Sequence, residues 1–116
     1  MPNYTCYYFE TESGRGPVEE FIDSLDPLTQ RKFFAKRKLF EELGPTLVAP
    51  HAKYLGYHIY ELRFQGRDGH FRICYFFIEK KIIILVHAFK KQTDKTPKKE
   101  LELAIQRRHI FLSKER

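Results

Sequence analysis

The sequence has few of the features that mark membrane, secreted or disulfide-bonded proteins. It contains only two cysteines, Cys6 and Cys74, and neither lies in a Cys-x-x-Cys or Cys/His spacing. We therefore expect two small core residues in a reducing compartment rather than a disulfide or a metal site. The longest apolar run, residues 82–88, is too short to cross a bilayer, and residues 1–5 do not begin a signal peptide. These absences predict a cytoplasmic protein that does not enter a membrane.

Sequence motifs for cofactors are also missing. There is no Gly-x-Gly-x-x-Gly, no Walker loop, no Gly-x-Ser-x-Gly and no His-Glu-x-x-His. The sequence accordingly predicts no cofactor and no bound metal. Any chemistry is expected to come from ordinary acidic, basic and cationic side chains.

The composition is typical of one globular domain with a basic C-terminal part. Its 116 residues, of which 42% are hydrophobic, are enough for one core and too few for a second. We therefore expect a single domain over residues 1–116. The net charge is +6; acidic residues predominate in residues 1–30, and lysine and arginine predominate from Lys90 onward. This clustering indicates a polyanion or an acidic protein as partner, and charge alone does not separate the two.

The first part of the chain predicts a strand followed by two helices. Residues 4–9 are rich in aromatic side chains, which favours a strand. Pro17 opens a helix with an apolar stripe, and Asp26 with Pro27 opens a second helix that runs to about Leu43. The residues expected to face inward on this second helix are Leu28, Ala35, Leu39 and Leu43, flanked by Phe33, Phe34 and Phe40. Its basic residues are expected to form a solvated face.

The second part predicts three strands and a last helix. Residues 44–56 have little periodicity and are expected to form a loop. Strands are expected at 57–64, 71–78 and 82–89, and Thr96 with Pro97 opens the last helix. In the first of these strands Tyr60, Leu62 and Phe64 share one face, and Ile59, Glu61 and Arg63 share the other. The order β-α-α-β-β-β-α predicts an α+β fold, with a small, mainly antiparallel sheet and helices on one side of it.

Arg72 is the most informative single residue, because it interrupts a strand that is otherwise almost entirely apolar. A buried arginine needs a carboxylate partner or an opening onto a site, since an unpaired buried charge is costly. Either Glu61 or Glu79 is the expected partner across the sheet. Arg63 is also expected beside Arg72, and two guanidiniums near one carboxylate would form an anion seat. The alternative is an exposed polar sheet face.

Two further groups lie at and beyond the end of the last strand. His87 interrupts an apolar run and can act as a general acid or base, although a lone strand histidine is more often structural. The segment leading to the last helix is rich in lysine and threonine, and a helix N-terminus attracts phosphate. The residues predicted to bind RNA there are Lys90, Thr93, Lys95 and Thr96, together with the neighbouring Lys91.

Four segments of the chain, read in order, resemble a known family. They are YELR at 60–63, FRICYF at 71–76, LVHAFKK at 85–91 and TDKTP at 93–97. Together they resemble the HigB-like, phage-derived branch of the RelE/ParE toxin superfamily, and the likeness covers nearly the whole chain. The resemblance implies a RelE-like fold and a type II toxin, an endoribonuclease that cleaves messenger RNA on the translating ribosome. It also implies a cognate antitoxin with a helix-turn-helix domain.

The resemblance also assigns roles to residues. RelE-like members use an arginine on the middle hairpin strand to contact the scissile phosphate, and Arg72 stands at that position. Lys91 matches the basic residue that follows the last strand. Where the family has paired lysines on the preceding strand, this chain has Ile59 and Glu61, and where RelE-type members have a tyrosine it has Thr96-Pro97.

The mechanism that these residues predict is a metal-independent attack of the RNA 2′-hydroxyl on the adjacent phosphate. Arg72 and Arg63 would stabilise the charge that grows on the phosphoryl oxygens, and Lys91 and Lys90 would hold the backbone. The general base is open between Glu61 and His87. Two alternatives are a ParE-like toxin that poisons DNA gyrase and an inactive phage-derived module that binds nucleic acid or protein.

Overall fold

The computed structural model describes residues 3–79 and 81–114 of the chain. Within these residues there are three α-helices, one short 3-10 helix and five strands. In chain order they are β1 (Thr5–Tyr8), α1 (Pro17–Asp23), α2 (Pro27–Leu43), the 3-10 helix (Gly44–Thr46), β2 (Ala52–Gly56), β3 (Ile59–Gly66), β4 (Gly69–Ile78), β5 (Ile82–Lys90) and α3 (Lys98–Lys114). No helix in this described part is long and apolar enough to span a membrane.

The described strands form one sheet in the order β1-β5-β4-β3-β2. β1 runs parallel to β5, and the other neighbouring pairs are antiparallel. This mixed sheet with three helices confirms the predicted α+β class. The alternation predicted for β3 is confirmed as well, because Leu62 and Phe64 lie in one core cluster and Ile59 lies in the other.

The edge strand β2 is the element that the sequence does not predict. The expected loop over residues 44–56 is wrong for Ala52–Gly56, which pairs antiparallel with β3. This short segment has one buried residue, Ala52, and little apolar alternation of its own. It becomes a strand because the outer edge of β3 offers backbone groups that need hydrogen-bond partners.

The helices cover both faces of the sheet, so the expectation of helices on one side is wrong. One core cluster joins α1 and α2 to Ile73 and Tyr75 on β4. The other joins α3 to Cys74 and Phe76 on the opposite face of the same strand. β4 has apolar side chains on both faces, so helices must pack on each face to bury those side chains away from water.

The orientation of α2 also differs from the prediction. Its buried residues are Thr29, Phe33 and Phe40, whereas Leu28, Phe34, Ala35 and Leu43 are exposed. The ring centre of Phe33 lies 5.8 Å from that of Phe64, and that of Phe40 lies 5.1 Å from that of Tyr75. These large aromatic contacts outweigh the smaller leucine stripe and set the rotation of the helix.

Candidate phosphate-binding site

A buried carboxylate on β3 is the centre of the candidate site. The Glu61 side chain is fully buried, and both of its oxygens have partners. Its Oε1 lies 3.2 Å from Nε of Arg63 and 3.4 Å from Nε of Arg72. Its Oε2 accepts a hydrogen bond from the Thr96 hydroxyl. The carboxylate therefore connects β3, β4 and the segment that precedes α3.

The two arginines of the site face each other, since Arg63 on β3 is the register partner of Arg72 on β4. The Arg72 side chain is 9% exposed, and that of Arg63 is 26% exposed. Burial lowers the pKa of Arg72; Glu61 opposes this effect and Arg63 adds to it. Because two guanidiniums share one carboxylate, the cluster keeps a net positive charge that an anion can neutralise.

A cleft of about 470 Å³ opens beside the arginine pair. Its wall combines side chains from α2, β3, β4 and the residue after β5. The cations that line it are Lys32, Lys36, Arg63, Arg72 and Lys91, and the other lining residues are Pro50, Phe64, Gln65 and His70. None of these described lining residues is acidic, so the cleft suits a polyanion.

Lys91 lies in this cleft, and its neighbour Lys90 does not. The Lys91 backbone N–H donates to the carbonyl of His70 at 2.8 Å, which continues the β4–β5 ladder past the end of β5. Its Nζ lies 3.1 Å from Oδ1 of the exposed Asp94. Lys90 is exposed, and its side chain lies over Gly69 at the β3–β4 turn.

The remaining predicted RNA-binding residues lie in a separate depression before α3. Thr93, Lys95 and Thr96 line it together with Lys98 and Leu101. The Thr93 hydroxyl donates to the carbonyl of Lys95 at 2.7 Å. Only Thr96 reaches the arginine pair, and it does so through Glu61. The depression thus adjoins the site without being part of the cleft.

His87 is not brought to the cleft. Its Nε2 lies 2.7 Å from Oε1 of Glu100 on α3, and its Nδ1 lies 3.5 Å from Nη1 of Arg107. Burial lowers the pKa of His87, while the hydrogen bond and charge of Glu100 act in the opposite direction. These contacts attach β5 to α3. His87 therefore has a structural role, which is the more common one for a single histidine in an apolar strand.

Three ionisable cleft residues lie outside the set that the sequence singled out. Lys32 and Lys36 come from α2, where they were assigned to a solvated face, and His70 lies at the start of β4. The spacing of the two lysines, four residues apart on a helix, puts them on one side and is the signal for grouping them. No sequence signal shows that this side of α2 borders β3 and β4, because that depends on how Phe33 and Phe40 dock.

A family model described as phage derived protein Gp49-like (DUF891) matches residues 20–109 of the chain. The matched range includes α2, the whole β2–β5 part of the sheet and most of α3. Every residue of the arginine cluster and of the cleft lies within it. No curated protein matches the chain at a significant level.

Proposed function

Because this chain belongs to the phage-derived Gp49-like family, which is related to the RelE/HigB-like toxins, we propose that it is a ribosome-dependent messenger RNA endonuclease. In this proposal it is the toxin of a type II toxin–antitoxin pair, in the HigB-like branch, and its partner is a helix-turn-helix antitoxin. The observation that carries the proposal is the arginine pair around buried Glu61, open to a cleft lined by cations.

The geometry supports cleavage through the 2′-hydroxyl of the RNA. That oxygen attacks the neighbouring phosphorus, the bond to the 5′ oxygen breaks, and the products are a 2′,3′-cyclic phosphate and a 5′-hydroxyl. Negative charge grows on the phosphoryl oxygens as the new bond forms. Arg72 and Arg63 are preorganised by one carboxylate to receive that charge, and such electrostatic stabilisation is typically the largest catalytic contribution.

Glu61 supports the reaction best as a positioning residue. Both of its oxygens are occupied by Arg63, Arg72 and the Thr96 hydroxyl, and its side chain is out of contact with water. A carboxylate held in this way is poorly placed to take a proton from RNA, and well placed to fix two guanidiniums. The cleft lysines supply contacts to the RNA backbone, and ordering of the RNA by the ribosome would supply the remaining alignment.

The first experiment is expression of the chain in a bacterium without its antitoxin, followed by mapping of new RNA 5′ ends. We expect growth arrest and cuts within translated regions for the wild-type chain. Arg72→Ala should abolish both, because it removes the more buried of the two phosphate-binding guanidiniums. Arg67→Ala is the matched control, since Arg67 is an exposed arginine at the β3–β4 turn outside the cleft.

Two results would contradict the proposal. If the Arg72→Ala protein is folded and cuts the same transcripts at the same rate, the arginine pair is not the phosphate site. If the wild-type chain arrests growth without new 5′ ends, its target is a protein such as DNA gyrase. Circular dichroism and antitoxin binding of the Arg72→Ala protein separate loss of activity from loss of fold.

A further inference from the structure

Lys36 on α2 has a contact that distinguishes it from the other lysines of the cleft. Its Nζ lies within hydrogen-bond distance of Nδ1 of His51 in the segment before β2. His51 is itself fixed, because its carbonyl accepts the backbone N–H of Arg63 at 2.8 Å. Lys36 is half-buried, whereas Lys32, one turn earlier on the same helix, is exposed. The Lys36 amine is thus oriented by His51 in the cleft that the arginine pair also lines.

In the contact between Lys36 and His51, the lysine is the hydrogen-bond donor and the histidine is the acceptor. A lysine ammonium carries only donors, so it donates to Nδ1 of His51 and the ring nitrogen accepts. The arrangement therefore uses one ammonium hydrogen for His51 and leaves the other two available to the cleft.

The surroundings of Lys36 favour release of its proton. Burial lowers the pKa of its ammonium group. The charged or titratable groups that line the same cleft are Lys32 on α2, Arg63 on β3, His70 and Arg72 on β4, and Lys91 after β5. Glu61 and Asp94 offset part of this positive charge by pairing with the arginines and with Lys91. An ammonium group desolvated among like charges is a stronger acid than an exposed one.

The reaction proposed above needs a group that gives a proton to the leaving oxygen. Glu61 has both oxygens occupied, and His87 lies against α3. Arginine does not act as a proton donor near neutral pH, because its guanidinium does not deprotonate in proteins. Lys36 lines the cleft, carries a proton and is oriented by a second residue, which is the arrangement that general acid catalysis requires.

We propose that Lys36, oriented by His51, donates a proton to the 5′ oxygen that leaves when the RNA is cleaved. This inference rests on the proposed function. The bond from the 2′ oxygen to phosphorus forms, and its proton passes to water. The bond from phosphorus to the 5′ oxygen breaks, and that oxygen keeps the electron pair and takes a proton from Nζ of Lys36. The resulting neutral amine regains a proton from water after the products leave.

The test compares Lys36→Arg with the wild-type chain on ribosomes that carry a defined messenger RNA. Arginine keeps the charge at this position and cannot give up a proton, so we expect the cleavage rate to fall by about 10²-fold or more. Ribosome binding should stay unchanged. Lys38→Arg is the matched control, because Lys38 is an exposed lysine of the same helix that lies outside the cleft, and it should cleave at the wild-type rate.

A second substrate distinguishes proton donation from simple charge. In this RNA, sulfur replaces the 5′ bridging oxygen at the cleavage position, and a thiolate leaves without needing a proton. The Lys36→Arg protein should cleave this RNA at close to the wild-type rate, while Arg72→Ala should remain slow. On the oxygen substrate His51→Gln, which keeps an acceptor, should retain more activity than His51→Ala, with KM unchanged in both.

Three results would contradict the proposed role of Lys36. If Lys36→Arg cleaves the oxygen substrate normally, Lys36 contributes only charge. If it is equally slow on the oxygen and sulfur substrates, Lys36 positions the RNA and does not donate the proton. If the wild-type chain cleaves neither substrate, the proposed function fails and the role of Lys36 fails with it.

Discussion

At the scale of single residues, the fully buried Glu61 carboxylate organises the site. An isolated charge in this position would be strongly unfavourable, and Glu61 is stable there because two guanidiniums and one hydroxyl contact it. The dependence is mutual, since Arg72 has little contact with water and relies on the same carboxylate. The ion cluster is therefore part of the fold as well as of the proposed chemistry.

Replacing Glu61 with glutamine tests that dependence. Glutamine has nearly the same shape but no charge, so Arg72 would remain buried without its counter-ion. We expect the free energy of unfolding to fall by about 3 kcal/mol, measured by urea denaturation. Thr96→Val removes one hydrogen bond to the same carboxylate and should cost about 1.5 kcal/mol. A smaller loss for Glu61→Gln than for Thr96→Val would show that the charges do not support the fold.

At the scale of elements, the close approach of α2 to the β3–β4 turn depends on the absence of a side chain at Gly66. Thr29 on α2 is fully buried, and its Oγ1 accepts the backbone N–H of Arg67 at 2.9 Å. A Cβ atom added at Gly66 would overlap the Thr29 side chain. Glycine at this position lets α2 approach closely enough for Lys32 and Lys36 to reach the cleft.

Gly66→Ala is expected to lower the free energy of unfolding by about 1–3 kcal/mol, because the added methyl group overpacks this contact. Thermal or urea denaturation measures the change. The matched comparison is Gly66→Ala in a Thr29→Ala background, where most of the overlapping atoms have been removed and the cost should be smaller. Equal costs in the two backgrounds would place the effect in the backbone of the turn rather than in the contact with α2.

The attachment of α3 to the sheet predicts a pH dependence of stability. Burial lowers the pKa of His87 in the folded chain, so below its ordinary value of about 6.5 the unfolded chain binds a proton that the folded chain does not. Stability should therefore fall as the pH drops from about 6.5 toward the folded-state pKa. His87→Gln keeps a donor for Glu100 and removes the titration, so its unfolding free energy should fall less steeply over this range. If the unfolding free energies of the wild-type and His87→Gln proteins change equally with pH, His87 is not the group that causes the pH dependence.

At the scale of the whole molecule, the distribution of charge matters more than the net charge of +6. Residues far apart in sequence, from Lys32 to Lys91, bring their cations to one cleft. A positive cleft of this kind attracts a polyanion, and the attraction is screened by salt.

Binding of single-stranded RNA should accordingly weaken steeply with salt. With each of the five cleft cations neutralising one phosphate, log K against log salt should have a slope of about −3.5, since each phosphate neutralised on a single strand contributes about −0.7. A 2′-O-methyl RNA permits this measurement because it blocks the attacking oxygen. Lys32→Met should reduce the steepness by about 0.7, whereas Lys38→Met, on an exposed part of α2 outside the cleft, should leave it unchanged. Equal slopes for wild type and Lys32→Met would show that RNA binds elsewhere.

Local sequence patterns were enough to predict the α+β class, the three central strands and an arginine pair near a carboxylate, with Glu61 and Glu79 both open as that carboxylate. Local rules suffice for these features, because alternation in a strand and antiparallel register over a tight turn place neighbouring side chains within one hairpin. The buried arginine needed a carboxylate, and the nearest one on the same sheet face was Glu61.

Which other residues join the site depends on packing between distant parts of the chain. The side of α2 that meets the sheet depends on how Phe33 and Phe40 fit against Phe64 and Tyr75, and that fit brings in Lys36. The position of β2, the contact of Lys36 with His51 and the placement of α3 on the second face are likewise long-range. Each arises from packing between segments distant in sequence, for which no local pattern carries the information.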